Sequence, residues 1–341
     1  MRAIEYSQTG SADVLTLVDR TTPTPGPGEV VVRIAVSAVN PTDWKSRTGS
    51  GDGAALPRPQ VPNQDGAGVI ETVGEGVSSL AVGDRVWVWD AAYQRPDGTA
   101  QELALLPEIL VVPLPDGVSF DVGATLGIPA LTAHRALTAR EGGPDELAPG
   151  SLDGNVVLVA GGAGAVGHAA IQLAVWAGAT VLSTVSSDQK GTLATAAGAH
   201  HVINYMTEDV ASRVRALAPH GVDVVVEVDA VANLELDLDI LAMGGTVSIY
   251  AGGGTDQPAI PVRAAMGKNA RLQFLMTYTT TATQKQAAIR SVTAAATAGA
   301  LGVGAEAGLP LTRFPLERTA DAHRAVEDNV VGKVLIDVAS R

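Results

Sequence analysis

The sequence contains no cysteine. That excludes disulfides, a thiol nucleophile and every zinc site built on thiolate ligands. Aromatic residues are scarce, 4% of 341, so the cores have to be built from Ala, Val, Leu and Ile. Hydrophobic residues make up 46%, yet no apolar run approaches the ~20 residues that span a bilayer. Basic residues are also few: 23 Lys and Arg stand against 36 Asp and Glu, a formal net charge of −13. A surface of that sign disfavours nucleic acid and anionic membranes, and neither is an expected partner. The six histidines show no metal-ligand spacing. His200 and His201 are adjacent and would point to opposite faces of a strand. The opening residues, Met1 to Tyr6, read as a strand rather than a signal peptide, and the expected setting is the cytoplasm. At 341 residues the chain suits two domains.

Glycine, by contrast, is plentiful at 38 residues, and one group of glycines carries the strongest signal. The apolar run 156–160 reads as a buried parallel strand, and the spacing after Ala165 reads as a helix. Between them stands Gly162-x-Gly164-x-x-Gly167, preceded by Gly161. Strand, glycine turn and helix in that order let backbone N–H groups close on a pyrophosphate at a helix N-terminus. The N–H groups of Ala165 and Val166 are placed to meet it.

A second buried strand is expected at 180–185. About 20 residues past the glycines, a site that prefers NAD usually carries an acidic side chain for the ribose 2′-hydroxyl. Here the positions are Ser186 and Ser187, with Lys190 one turn on. Hydroxyls and a cation suit a 2′-phosphate, which favours NADPH. Asp188 lies one residue from reversing that reading, and the serines also suit the cap of the next helix.

The first stretch, with strands expected at 14–18, 30–39, 68–73 and 84–89 between Gly/Pro turns, suggests a partly open, barrel-like antiparallel domain. From about Asp121 the pattern alternates. Further strands at 201–205, 222–228, 245–250 and 271–276 complete a doubly wound parallel sheet, an α/β architecture. A last strand at 334–338 is expected to return to the first domain. The boundaries read as 1–124 with 280–341 for one domain and 125–279 for the other.

Several ordered motifs then resemble one family: Pro25-Gly26-Pro27-Gly28-Glu29-Val30, Asn40-Pro41-Thr42-Asp43-Trp44-Lys45, Asp65-Gly66-Ala67-Gly68-Val69-Ile70, Gly83-Asp84-Arg85-Val86, Gly127-Ile128-Pro129-Ala130, the glycine turn, and Gly332-Lys333-Val334-Leu335. Over nearly its whole length the chain resembles the zinc-independent quinone oxidoreductases, zeta-crystallin among them, of the medium-chain dehydrogenase/reductase superfamily. The resemblance implies a GroES-like catalytic domain, a Rossmann domain that binds NADPH, and hydride transfer to a quinone or activated carbonyl in the cleft between them. It also implies a homodimer. In zinc-dependent relatives the positions of Asn40 and Gln64 carry a cysteine and a histidine, and an amide pair makes no credible zinc site. An enone or enal reductase, and an NADPH-binding protein with little turnover, are the alternative readings.

The residues then take expected roles. Asn40 would hydrogen-bond a quinone oxygen as charge develops, although an Asn-Pro turn residue can equally satisfy its own backbone. Trp44 offers a flat wall for a planar ring. Lys45, where several relatives place a tyrosine, is either a partly desolvated proton donor or an exposed cation, with water as the other donor. Asp65 orients Lys45 or a water, or caps a turn. Thr132 places a hydroxyl near the nicotinamide or packs a helix. Tyr205 lies against adenine or the 2′-phosphate, or in a core. Tyr250, Ala251, Leu275 and Met276 end the last strands, where the nicotinamide lies in this fold. Lys333 balances phosphate charge or sits on the surface. Acceptor choice is expected to rest with residues 44–60 and 90–100.

Overall fold

The computed structural model describes residues 1–49, 51, 53–252 and 257–338; Ser50 and Asp52, within the expected acceptor-selecting stretch, lie outside them. The chain divides into two units, Met1–Ile128 together with the segment from Leu311 on, and Pro129–Pro310.

In the first unit, β1 (Arg2–Gln8) pairs antiparallel with β2 (Thr16–Asp19). The expected strand at 14–18 begins late because Ala12–Val14 forms a single 3-10 turn capped by Ser11. The β-branched run 30–39 fits a pleated strand better than a helix and forms β3 (Glu29–Val39). Pro41, at the first turn, starts α1 (Pro41–Thr48). Then come β4 (Ala55–Gln60), β5 (Asp65–Val73), β6 (Arg85–Val88), β7 (Leu103–Pro107) and β8 (Val111–Pro113). A short α2 (Phe120–Gly123) follows, and α3 (Ile128–Leu137) starts on the last residue of this part.

The second unit alternates strand and helix. Its elements are β9 (Val156–Ala160), α4 (Ala165–Trp176), β10 (Thr180–Val185), α5 (Asp188–Ala196), β11 (His201–Asn204), α6 (Val210–Leu217), β12 (Val222–Glu227), α7 (Ala230–Ile240), β13 (Leu241–Ile249), α8 (Val262–Lys268), β14 (Arg271–Phe274) and α9 (Ala282–Thr297). All six strands run parallel in the order β11-β10-β9-β12-β13-β14. The order reverses between β9 and β12, which is the topological switch point where such sheets bind ligands at their strand C-termini. Leu158, Leu182, Ile203, Val225 and Val247 form the buried core on this sheet.

The chain then returns through β15 (Leu311–Pro315), α10 (Thr319–Glu327) and β16 (Lys333–Asp337). β16 pairs antiparallel with β3, Val334 opposite Val39. A seven-stranded sheet results, with a three-stranded sheet β2-β1-β4 beside it, around a core that includes Ile4, Ile34, Val86 and Ile336. The return falls at Leu311 rather than at the expected 280. The cause is α9: its face of Ala287, Ala288, Val292 and Ala295 is buried, and Ser291 Oγ accepts the Leu147 N–H of the same unit at 2.9 Å. Among the described residues, no helix is long and apolar enough to cross a membrane.

Candidate functional site

At the end of β9 the chain has to turn into α4 within a few residues. Gly161 makes that turn at φ +68°, where a side chain is strained. Gly162 lies so close to β10 and α4 that a Cβ would stand 2.1 Å from Ser183 Oγ and 2.8 Å from Ile171 Cδ1. A Cβ on Gly167 would meet Gly161 O at 2.4 Å. These glycines let the helix pack onto the strand. Gly164 differs: it is the exposed N-cap of α4, and a Cβ there would meet only Gly161 O, at 3.4 Å. The helical ladder begins with His168 N donating to Gly164 O at 2.7 Å, so the N–H groups of Ala165, Val166 and Gly167 have no acceptor within the helix. Open space, donors without an acceptor among the described residues and the positive end of the helix dipole are together what an anion site requires.

β10 ends at Val185, and the next residues determine what a ribose would meet there. Ser187 caps α5, its Oγ accepting from Lys190 N at 3.3 Å. Ser186 Oγ accepts from Lys190 Nζ at 2.9 Å, both side chains half-buried. The Asp188 carboxylate is exposed and accepts from Asn204 Nδ2 at 2.9 Å. Tyr205 donates its backbone N–H to Val185 O at 3.1 Å, and the residue is 51% exposed rather than in a core. Ser186, Lys190 and Tyr205 therefore share one end of the sheet.

Across the switch point, Tyr250 and Leu275 continue β13 and β14, with Tyr250 N donating to Glu227 O at 3.1 Å and Leu275 N to Ile249 O at 2.8 Å. Burial, with the Glu227 carboxylate second, pushes the Tyr250 phenol's pKa up and keeps it neutral. Ala251 is half-buried and Met276 is exposed. Thr132 is buried on α3, where its hydroxyl bonds that of Thr277 at 2.6 Å.

In the first unit, Asn40 lies buried between β3 and α1. Its backbone N–H donates to Asp43 Oδ2 at 2.6 Å, and Asp43 N donates back to Asn40 O at 3.0 Å, closing the first turn of the helix. Asp43 Oδ1 also accepts from Gln64 N at 3.1 Å, and Gln64 Oε1 accepts from Ala92 N at 3.0 Å. The Asn40 Nδ2 donates to Asp65 Oδ2 at 2.7 Å. Asp65 also accepts from Ile128 N, at 3.0 and 2.9 Å to its two oxygens. Lys333 Nζ donates to Asn40 Oδ1 at 2.5 Å and to Val39 O at 3.1 Å. Burial raises the Asp43 pKa to about 8, with repulsion from Asp65 second. Burial likewise raises Asp65 to about 6, opposed by Lys333. Lys333 is lowered by burial and supported by both carboxyls.

Two family models match the chain, one described as an alcohol dehydrogenase GroES-like domain over residues 26–116, the other as a zinc-binding dehydrogenase over 165–295. A quinone oxidoreductase of Rattus norvegicus is 33% identical, the alignment covering 98% of this chain and 97% of that protein. The chain belongs to the medium-chain dehydrogenase/reductase superfamily. Among solved structures, an NAD-dependent alcohol dehydrogenase superposes with a TM-score of 0.85 at 29% identity, covering 99% of this chain and 100% of that one. A mycobacterial protein solved with NADPH superposes at 0.80 and 30% identity, with the same two coverages of 99% and 100%. As a medium-chain dehydrogenase/reductase, the protein is an NAD(P)H oxidoreductase with a GroES-like domain and a Rossmann domain.

Some expected roles do not survive in this oxidoreductase. Lys45 is exposed on α1, its ammonium 5.7 Å from the half-buried Trp44 ring; it is a solvated cation–π pair and not a desolvated acid. Asp65 does not orient it, because its oxygens face Asn40 and Ile128. Lys333 neither balances phosphate nor lies on the surface: it is 2% exposed, and its ammonium is held by Asn40 and Val39. Asp43 was not singled out from the sequence, although Asn40-x-x-Asp43 ahead of a helix is a capping-box spacing that could have revealed it. Among the described residues, no three His, Asp or Glu side chains gather as a metal site.

Proposed function

We propose that this reductase uses NADPH to reduce a quinone without zinc. The observation that carries the cofactor choice is the Ser186–Lys190 contact of 2.9 Å at the end of β10, a hydroxyl and a cation where a diol-binding carboxylate would otherwise stand. The cofactor's own chemistry is hydride donation from the reduced nicotinamide. Ala165 and Val166 would hold the pyrophosphate, with Gly164 leaving room for it, Tyr205 would serve the adenosine end, and Tyr250, Ala251, Leu275, Met276 and Thr132 would serve the nicotinamide end. Asn40 donates a hydrogen bond to the quinone oxygen as it becomes anionic, Trp44 flanks the ring, and water delivers the proton. Amide side chains at Asn40 and Gln64, each engaged with protein partners, are a poor donor set for zinc.

The test measures NADPH and NADH oxidation by purified protein in the presence of a chelator, with 1,4-benzoquinone, a larger ortho-quinone and a simple enone. Quinone turnover with NADPH preferred is the expected result, and in Ser186→Asp the preference moves toward NADH by about tenfold or more, since a carboxylate repels a 2′-phosphate. Enone turnover alone, loss of activity with chelator, or an unchanged cofactor ratio in the variant overturns the corresponding part.

We also infer a homodimer built on β14. This strand is one of the two edges of the six-stranded sheet, and Phe274, Met276 and Met266, on it or close to it in the chain, are 63%, 62% and 71% exposed, a combination that natural proteins normally cover. Light scattering is expected to give twice the chain mass; a monomer at micromolar concentration refutes the pairing.

A further inference from the structure

Lys333 is a fully buried charge that the proposed reaction leaves without a task. Its Nζ donates to Asn40 Oδ1 at 2.5 Å, while at the other end of the same amide Asn40 Nδ2 donates to Asp65 Oδ2 at 2.7 Å. An ammonium can only donate and a carboxylate can only accept, so the two partners fix which end of the amide is which. A flipped amide would set NH2 against the ammonium and the carbonyl oxygen against the carboxylate, exchanging two charge-assisted bonds for two repulsions. Asp43 and Val39 hold the backbone on either side, through Asn40 N to Asp43 Oδ2 and Lys333 Nζ to Val39 O. The backbone therefore cannot swing to relieve such a flip.

We propose that Lys333 is a positioning residue, locking the Asn40 amide together with Asp65 so that it meets the substrate as a hydrogen-bond donor. The ammonium draws electron density from Oδ1, which strengthens the remaining Nδ2–H as a donor and weakens the oxygen as an acceptor. Such a group selects substrates whose oxygen gains negative charge during reduction, the class of quinones and conjugated ketones, over substrates that present a donor. This deepens the proposed reaction and rests on Asn40 touching the acceptor oxygen.

The test is a double-mutant cycle on the full chain: Lys333→Met, Asn40→Ala and the pair, read as kcat and KM with 1,4-benzoquinone and as the NADPH Kd. Lys333→Met is expected to lower kcat by about tenfold or more, with NADPH Kd within about twofold. In the Asn40→Ala background it is expected to cost less than about twofold further, because Lys333 acts only through that amide. Equal losses in both backgrounds overturn the positioning role in favour of a general structural one. Full-speed Lys333→Met beside a slow Asn40→Ala also overturns it and leaves the role of Asn40 intact. Unchanged kcat in Asn40→Ala overturns the reading of Asn40 itself. Should Lys333→Met fail to fold, Asp65→Asn tests the lock from its other side, since it keeps a carbonyl oxygen for the Ile128 N–H. It is expected to slow the wild type and not Asn40→Ala, and equal slowing in both refutes the lock.

Discussion

Gly164→Val should leave the fold intact and weaken NADPH binding by about 100-fold or more, about 2.7 kcal/mol. The two halves of that expectation come from different neighbours. Gly164 has φ −84° and ψ 160°, an extended conformation that valine adopts without strain. A Cβ there would meet only Gly161 O, at 3.4 Å, so the protein itself makes room. What the isopropyl group fills is the open space over the N–H groups of Ala165 and Val166, where the pyrophosphate has to lie. Gly167→Ala is the contrasting control, because its Cβ would stand 2.4 Å from Gly161 O and force helix and strand apart. The check is NADPH fluorescence titration beside a thermal melt. Tight binding in Gly164→Val would refute the assigned turn.

The second expectation concerns acid. His323 is fully buried, with Nε2 2.9 Å from Asn63 Oδ1 and Nδ1 3.3 Å from Arg47 Nη1. Arg47 can only donate, so Nδ1 is the acceptor and Nε2 carries the proton of a neutral ring. A second proton would point at a guanidinium that is itself buried. Burial first, and Arg47 second, lower the His323 pKa from 6.5 to about 3. A folded-state pKa below the unfolded one means that this stabilising contribution is complete above pH ~6.5 and is lost as pH falls toward ~3. His323→Gln does not titrate. Between pH 7 and pH 4.5 the wild type should therefore lose about 3 kcal/mol relative to His323→Gln. Denaturant midpoints of both proteins at the two pH values give the comparison, which also cancels the titration of groups common to both. Parallel pH dependence would mean that the folded protein accommodates the imidazolium.

The cofactor half of the protein was legible because its signals are local. Branched apolar residues make β10 at the expected 180–185, and the close contacts of the glycine turn lie either a few residues away, Gly167 to Gly161, or on the very next strand, Gly162 to Ser183. β4, with Pro57 and Pro59 within it, gave no strand pattern; it exists as the edge of its sheet, where the missing N–H groups cost little. The helix at 282–297 reads the same whichever unit it packs on, and only the burial of its alanine face on the second unit moved the return from 280 to Leu311.

By itself, then, the sequence determined the two architectures, the glycine turn between β9 and α4 and the residues available at the end of β10, since each is signalled by residues near one another in the chain. Tertiary structure decided the polar network of the first unit. Asn40, Asp65 and Lys333 are separated by 25 residues between the first two and by 293 between Asn40 and Lys333, and β16 must pair with β3 before the ammonium reaches the amide. Burial then decides their chemistry: in water Lys333 and Lys45 would be equivalent cations, but one is sealed against Asn40 and the other is left in solvent.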